Sequence, residues 1–387
     1  MSVNVGQIGS PPSTVTISEV RTNRDRNRFV RVPWLIYRND PAWTPPLLLE
    51  RKAFINPRKQ PFYQHGTAAL FIAEDAGQVV GRILVSDDPR YNEQHGTNAG
   101  CFGMFECIDD TAVAHSLLNA AADWLKKRGR TQILGPIDYS TNYACGLLIE
   151  GFDTPPRVMM NHNPPYYEQL LASWGLQKAK DLWAWWFRPN QQIEAWRPRV
   201  ERLASRSGVV IRSFRRDQIS AEIGRCKHLY LDSWRDNWGF VPMTDAEFED
   251  MAQVLWYLAH PELLLVAEVD GQPVGFSITL PDFNEAIQNL DGRLTRFGLP
   301  IGLFKLRNNL KRIRTARLLA LGVLEPYRRR GIAEMLVLKT FEVGILKFGY
   351  AGAELGWTLE DNDMINRTIA SVGAEPYKTY RIYEKGI

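Results

Sequence analysis

The chain has 387 residues, 45% of them hydrophobic and 23% charged, which describes a globular protein with real cores and length for about two or three domains. A net charge of +4 is too mild to argue for nucleic acid, so no such partner is expected. Cys101, Cys107, Cys145 and Cys226 fit neither a zinc site nor a disulfide framework, and the histidines form no HExxH pattern; the expectation is a reduced, cytoplasmic protein with no metal site.

Residues 1–14 are polar, contain proline and glycine, and read as a flexible tail. No basic stretch precedes an apolar run, and no run of 18 apolar residues occurs, so neither a signal peptide nor a membrane span is expected. Residues 72–81 (IAEDAGQVVG) read as strand, glycine turn and strand. A strand ends at Gly103-Met104-Phe105-Glu106. A helix follows over 111–128, then a strand over 131–134. The polar and proline-rich stretches 135–142, 154–156 and 161–167 look shaped for a pocket. A helix over 163–174 stops at Gly175, and 182–187 is a strand rich in tryptophan. Aromatic walls of that kind suit core packing or a greasy ligand.

Residues 191–205 read as a charged connecting helix, and 209–211 opens a second unit as a strand. Helices follow near 219–234 and 245–256. Trp234, Asn237 and Trp238, before Gly239-Phe240, end the first of these and either edge a cleft or serve packing. Residues 266–275 (VAEVDGQPVG) match the first hairpin at six of ten positions. The rest of the unit repeats the order of the first: strand 318–324, helix 331–348, strand 351–357, helix 362–372 and strand 380–383. Matching order over so long a stretch argues for two copies of one α/β fold.

The copies differ after their fourth strand. The first has Glu106-Cys107-Ile108-Asp109-Asp110, whose acids would repel an anion. The second has Glu325-Pro326-Tyr327-Arg328-Arg329-Arg330-Gly331-Ile332-Ala333, where three arginines, a close-approach glycine and the first free N–H groups of a helix make an anion site suited to a pyrophosphate. The organisation expected is a tail at 1–14, a first unit at 15–189 lacking the pyrophosphate loop, a linker helix at 190–207, and a second unit at 208–387 with the anion site and a basic amphipathic insertion at 283–317.

The second unit resembles the GNAT family of acyl-CoA-dependent N-acyltransferases. Its specific part is R-x-x-G-x-A, here Arg328 to Ala333, after a strand and opening a helix. The resemblance implies a tandem α/β fold, each copy a mixed, mostly antiparallel central sheet flanked by helices. It implies that Arg328, Arg329, Arg330, Gly331, Ile332 and Ala333 hold the coenzyme A pyrophosphate. It also implies that Leu321, Gly322 and Val323 pair with the pantetheine arm and offer a backbone N–H to the thioester oxygen. Asn362 matches the family's asparagine at the start of the last helix, and is equally a helix N-cap. The family often has a tyrosine four residues before the glycine that ends that helix; here the position is Ile369, and Tyr380 and Tyr377 are the nearest substitutes. The whole chain is similar to a double-GNAT bacterial family that includes bacterial ceramide synthases, on Gly103 to Glu106, Gly135 to Asn142, Asp181-Leu182, Trp357 to Asn362 and Tyr377 to Lys385.

That resemblance implies amide formation between a long-chain acyl thioester and a lipid-like amine, a sphingoid base first. A non-catalytic lipid-binding protein and an acyltransferase for a soluble amine stay open. The acyl donor is acyl-CoA or an acyl-carrier protein, with no cofactor tightly bound. An amine must lose a proton to react, and Glu106, Asp138 and Glu354 are the candidate bases, with Tyr380 the candidate acid. Between 293 and 317 lie eight cations and no acid, interleaved with apolar residues. Such an insertion suits an anionic membrane surface, a basic face for an acyl-carrier protein, or a solvated helix pair packed on the domain; the first would add peripheral contact at the inner face of the membrane to the cytoplasmic location expected.

Overall fold

The computed structural model describes residues 15–189 and 191–387; the expected tail at 1–14 lies outside the described residues. The strands are β1 (Thr16–Glu19), β2 (Thr67–Asp75), β3 (Gln78–Asp87), β4 (Ala99–Cys107), β5 (Gln132–Gly135), β6 (Leu147–Glu150), β7 (Gln177–Phe187), β8 (Val209–Ser213), β9 (Leu264–Val269), β10 (Gln272–Pro281), β11 (Thr315–Val323), β12 (Gly352–Leu359) and β13 (Glu375–Gly386). The helices are α1 (Asn23–Ile36), α2 (Leu48–Phe54), α3 (Pro89–His95), α4 (Thr111–Lys126), α5 (Tyr167–Ser173), α6 (Gln191–Ser207), α7 (Ile219–Trp234), α8 (Asp245–Leu258), α9 (Phe283–Ile287), α10 (Ile301–Leu310), α11 (Ile332–Glu342) and α12 (Asp363–Ser371).

Local chemistry accounts for these elements. In α4, Asp110 caps the first turn by accepting from the N–H groups of Ala112 and Val113 at 2.8 and 3.1 Å. Val113, Leu117, Leu118, Ala121 and Leu125 then recur at helical spacing and are buried against the sheet. α8 opens with a reciprocal capping box between Thr244 and Glu247. The helix expected over 163–174 is shorter: Pro164 and Pro165 carry no N–H to donate, and a turn closed by Tyr167 N–H on Pro164 O at 3.2 Å leads into α5.

The strands form one continuous sheet in the order β1-β2-β3-β4-β5-β13-β7-β12-β11-β10-β9-β8, with β6 pairing to β13 beside that path. All pairings are antiparallel except β4 with β5 and β11 with β12. Each half therefore repeats an antiparallel meander that ends in a parallel pair. The halves are also exchanged at their ends. β7, from the first half, lies between β12 and β13, while β13, from the second half, lies between β5 and β7. Trp185 and Phe187 of β7 pack in the core of the second half with Leu318, Leu336, Phe341 and Leu355. Tyr383 of β13 packs in the core of the first half with Leu117 and Tyr167.

Candidate active site

β11 and β12 run side by side only at their starts, from Thr315 to Leu318 and from Gly352 to Leu355. Beyond that, β12 turns away at Gly356, whose backbone is left-handed at φ +48°, and β11 shifts register against β10 at Leu319. A gap opens between the two parallel strands. On the other side of β11, the Leu324 N–H donates to Val274 O at 2.9 Å and Gly322 lies opposite Phe276. Alternation along the strand then aims the backbone of Leu321 and Val323 into the gap.

At the end of β11 the chain tightens into a turn over Glu325–Arg330, and α11 begins after Gly331. Gly331 has φ +75°, and a side chain there would meet Leu203 Cδ1 of α6 at 2.9 Å. No side chain caps α11, so its first N–H groups face the turn without a side-chain acceptor. The Arg328 Nε–H donates to Val323 O at 3.2 Å, which ties the turn to the strand, and the Arg330 guanidinium lies over the Tyr327 ring. Uncapped donors, three arginines and a glycine without room for a side chain fit the pyrophosphate of a coenzyme A donor.

The gap leads into a cavity of about 500 Å³ between α7, α8, β10, β11, β12 and α12. Its wall is mostly apolar, with Ile223, Phe248, Met251, Leu255, Trp256 and Phe276 among the larger contributors. The first half supplies Thr141, Asn142, Tyr143 and Met159. The loop that carries them is fastened across the halves. The Thr141 hydroxyl donates to Gly239 O at 2.8 Å, Asn142 Nδ2 donates to Val241 O at 2.9 Å, and the Tyr230 hydroxyl donates to Asn142 Oδ1.

Of the residues expected to bind the donor, Leu321, Gly322, Val323, Arg328, Ala333 and Asn362 line this cavity. Arg329, Arg330 and Gly331 stay in the turn, and Ile332 is buried in the core beneath it. The Asn362 side chain caps α12 by accepting from Ile365 N–H at 3.4 Å. Trp234, Asn237 and Trp238 also line the cavity, as does Ile369 at the position where the family often has tyrosine.

The four catalytic candidates lie elsewhere. Glu106 is buried in the first half, where it accepts from the hydroxyls of Tyr37 and Tyr167, each at 2.8 Å, and faces Arg82 at 3.3 Å. Burial raises its pKa above the usual carboxylate range, against the pull of Arg82. Asp138 accepts from Met104 N–H at 2.8 Å and occupies the space beside Gly103. Together with the Ile137 N–H, which donates to Phe102 O at 2.6 Å, it fills the gap where β4 leaves β5. The first half thus plugs with its own loop the place that stays open in the second. Glu354 is wholly buried, paired with Arg317 at 2.9 Å and accepting from the Tyr377 hydroxyl. Burial pushes its pKa up as well, with Arg317 and Tyr377 opposing. Tyr380 is buried on β13, and its hydroxyl has no hydrogen-bond partner. Arg317, counted in the sequence among the cations of the insertion, is only 2% exposed and is held by Glu354 and by Val158 O, so it belongs to the interior.

Three polar cavity groups escape a reading by motif. Tyr143 and Tyr230 are pushed up in pKa by burial and stay protonated at neutral pH. The Ser233 Oγ on α7 is buried without a partner, 2.9 Å from the point a Cβ on Gly322 would occupy. Nothing in their spacing marks them, since all three sit in positions that read as an ordinary amphipathic helix or loop.

A model of the GNAT acetyltransferase family matches residues 224–366, the segment that holds the arginine turn and much of the cavity wall. A protein from Escherichia coli K12 known as Protein YghO is 37% identical over 378 residues, covering 95% of each chain. Bacterial ceramide synthase from Caulobacter vibrioides is 35% identical over 384 residues, covering 98% of this chain and 99% of its own. The chain belongs to the GNAT family. Among solved structures, a tandem GNAT protein from the clavulanic acid biosynthesis pathway superposes with a TM-score of 0.56 at 12% identity, over 96% of this chain and 98% of that one. A GCN5-related N-acetyltransferase from Sphaerobacter thermophilus gives 0.55 at 14% identity, over 97% of each. Both likenesses establish the tandem fold. This GNAT chain is an N-acyltransferase, of a family that uses acyl-CoA as co-substrate.

Proposed function

We propose that the protein transfers a long-chain acyl group to the amine of a lipid, with a sphingoid base as the favoured acceptor and a ceramide-like amide as product. The observation that carries this reading is the apolar cavity of about 500 Å³ that continues from the donor gap between α7 and α8. An acetyl group needs no such space, whereas each buried methylene of a long chain contributes about 0.8 kcal/mol. The full-length likeness to bacterial ceramide synthase supports the choice of acceptor. The donor enters by a phosphopantetheine arm, which acyl-CoA and an acyl-carrier protein both present. A turn with three arginines suits the extra phosphates of acyl-CoA and favours it.

In this mechanism the neutral amine attacks the thioester carbon, the C–N bond forms, and the C–S bond then breaks. The backbone N–H groups of the Leu321–Val323 edge stabilise the oxyanion between those events. No histidine lines the cavity among the described residues, and its one carboxylate, Glu334, sits at the start of α11, so water carries the amine proton away. Tyr230 and Tyr143, which line the cavity and are held protonated by burial, are the candidate donors of a proton to the departing thiolate, Tyr230 by leaving its bond to Asn142. The protein is expected to work in the cytoplasm. The test is mass spectrometry of purified enzyme given a sphingoid base with palmitoyl-CoA or acetyl-CoA. A ceramide-mass product formed far faster from palmitoyl-CoA supports the proposal; equal rates, or no amide of any lipid amine, overturn it.

A further inference from the structure

We propose that the segment 291–312 is a docking face for an anionic lipid bilayer. Docking of this kind is independent of which amine is acylated.

The segment is held rigidly, and the way it is held forces apolar side chains outward. Asn309 Nδ2 donates to Ala286 O at 2.9 Å, and Leu306 packs against the small core around Leu263, Ile313 and Tyr350. At Gly302 a side chain would meet Arg293 O and lie 2.8 Å from Leu294 Cα, so α10 rests directly on backbone. Gly302, Leu306 and Asn309 define the inner face by helical spacing. Leu303, Phe304 and Leu310 then face solvent, at 53%, 68% and 44% exposure, and the preceding loop presents Phe297 at 88% and Leu299 at 59%. With Ile301, six of the thirteen large hydrophobic residues exposed among those described fall within fourteen positions. Single exposed apolar residues are ordinary; a cluster of this density marks a contact surface.

Beyond Asp291 at its start, which accepts from Trp34 and faces Arg293, the charge along the segment has one sign. Arg296, Lys305, Arg307, Lys311, Arg312 and Arg314 are exposed and make no ion pair among the described residues, and no acidic residue occurs from 292 to 324. The segment is also braced against the first half: Trp34 Nε1 donates to Asp291 Oδ1 at 2.6 Å and Leu48 N–H donates to Gly292 O at 2.9 Å. Leu49, next to that second bond, is 74% exposed and extends the greasy face.

A cationic rim with a protruding apolar centre matches the headgroup and acyl layers of an anionic leaflet. A second copy of this chain would set cations against cations in a two-fold contact. An acidic carrier protein would answer the cations, but would need hollows shaped for Phe297, Leu299 and Phe304; acyl chains accept any shape. No helix among the described residues is long and apolar enough to cross a membrane, so the contact is with the surface. The placement serves the reaction. β11 starts directly after the segment, at Thr315, and ends at the arginine turn, about 25 Å further on by strand rise. The phosphates of the donor are thereby kept in water while the other end of the cavity is near the bilayer.

The experiment is sedimentation of the full-length protein with vesicles made of equal parts phosphatidylcholine and phosphatidylglycerol, beside vesicles of phosphatidylcholine alone. Binding is expected to the anionic vesicles only and to weaken as salt is raised. Lys311→Gln with Arg312→Gln should weaken it about 30-fold. Phe297→Ser with Phe304→Ser should leave only weak binding that salt abolishes. All four side chains are exposed, so unchanged acyl-CoA binding by calorimetry certifies the fold of each variant. Absence of binding by the unaltered protein, or binding by both variants as tight as its own, overturns the proposal. So does a dimer that the double serine variant dissociates, or selective capture of an acidic carrier protein through this face without vesicle binding.

Discussion

His65 sits where the first half meets α8, and its charge state should set the stability of that junction. Its ring lies 3.4 Å from Asp88 and 3.2 Å from Glu247. Burial alone would lower its pKa, but the two carboxylates outweigh burial and lift it to about 9 from an ordinary 6.5. Glu247 responds in the opposite sense: burial would raise it, and His65 and Thr244 hold it below its usual value. Because the folded pKa of His65 is the higher one, its contribution is fully present below pH 6.5 and is lost as pH rises through about 9. The shift corresponds to about 3 kcal/mol before screening, and on the order of 1–2 kcal/mol once solvent at the junction is allowed for. The melting temperature, measured by calorimetry between pH 6.5 and 9.5, should fall by a few degrees more in the native sequence than in His65→Gln. The variant should start lower, since only Arg90, 3.7 Å from Glu247, then offsets the paired acids. α8 carries Phe248, Met251 and Leu255 into the cavity, so KM for the proposed long-chain substrate should rise with pH in the native protein and not in the variant. Parallel pH curves for the two proteins would refute this account.

Arg328→Ala should raise KM for acyl-CoA by about 10- to 100-fold, the worth of one charge-assisted phosphate contact, with kcat nearly unchanged. Unaltered KM in steady-state assays would mean that the turn holds no phosphate. Ser233→Ala should lower kcat/KM about 3- to 10-fold, one neutral hydrogen bond, while leaving the melting temperature unchanged or higher, because a buried hydroxyl without a partner is removed. A lower melting temperature with full activity would show that the hydroxyl serves the fold. Glu106→Gln should cost about 3 kcal/mol of stability by leaving Arg82 buried and poorly paired, yet the folded fraction should keep its specific activity. Denaturant titration beside single-turnover rates tests this, and a loss of rate by orders of magnitude would restore Glu106 as the base.

The parts of the site that the sequence reveals are those written in consecutive residues. The strand, the arginine turn and the helix after Gly331 are one local unit, in which backbone conformation, charge and helix start all follow from neighbours. The cleft edge at Trp234, Asn237 and Trp238 reads in the same way. The roles of the carboxylates do not. Glu106 finds Arg82, Tyr167 and Tyr37 at separations of 24, 61 and 69 residues, and only their convergence turns a candidate base into a saturated structural acid. Ser233 and Tyr230 escape notice for the converse reason: each is an ordinary helical residue until the 141–143 loop and Gly322 close around it.

The exchange of β7 and β13 was equally hidden, and it explains how two halves with one site depend on each other. The side chains of a strand record which residues face a core, as in Tyr380, Ile382 and Tyr383 of β13, but the pairing itself is made by backbone, so neither half's pattern records its neighbour. Once exchanged, β7 is paired on one edge to β12 and on the other to β13. Withdrawing the first half would strip β12 of its antiparallel partner and leave it only its short parallel pairing to β11, take Trp185 and Phe187 out of the second core, and remove Thr141 and Asn142 from the cavity wall. The plugged gap at Asp138 is therefore no vestige in physical terms. The loop that fills it also emerges as the wall at Thr141 and Asn142, so one loop closes the gap of the first half at Asp138 and lines the cavity of the second a few residues later.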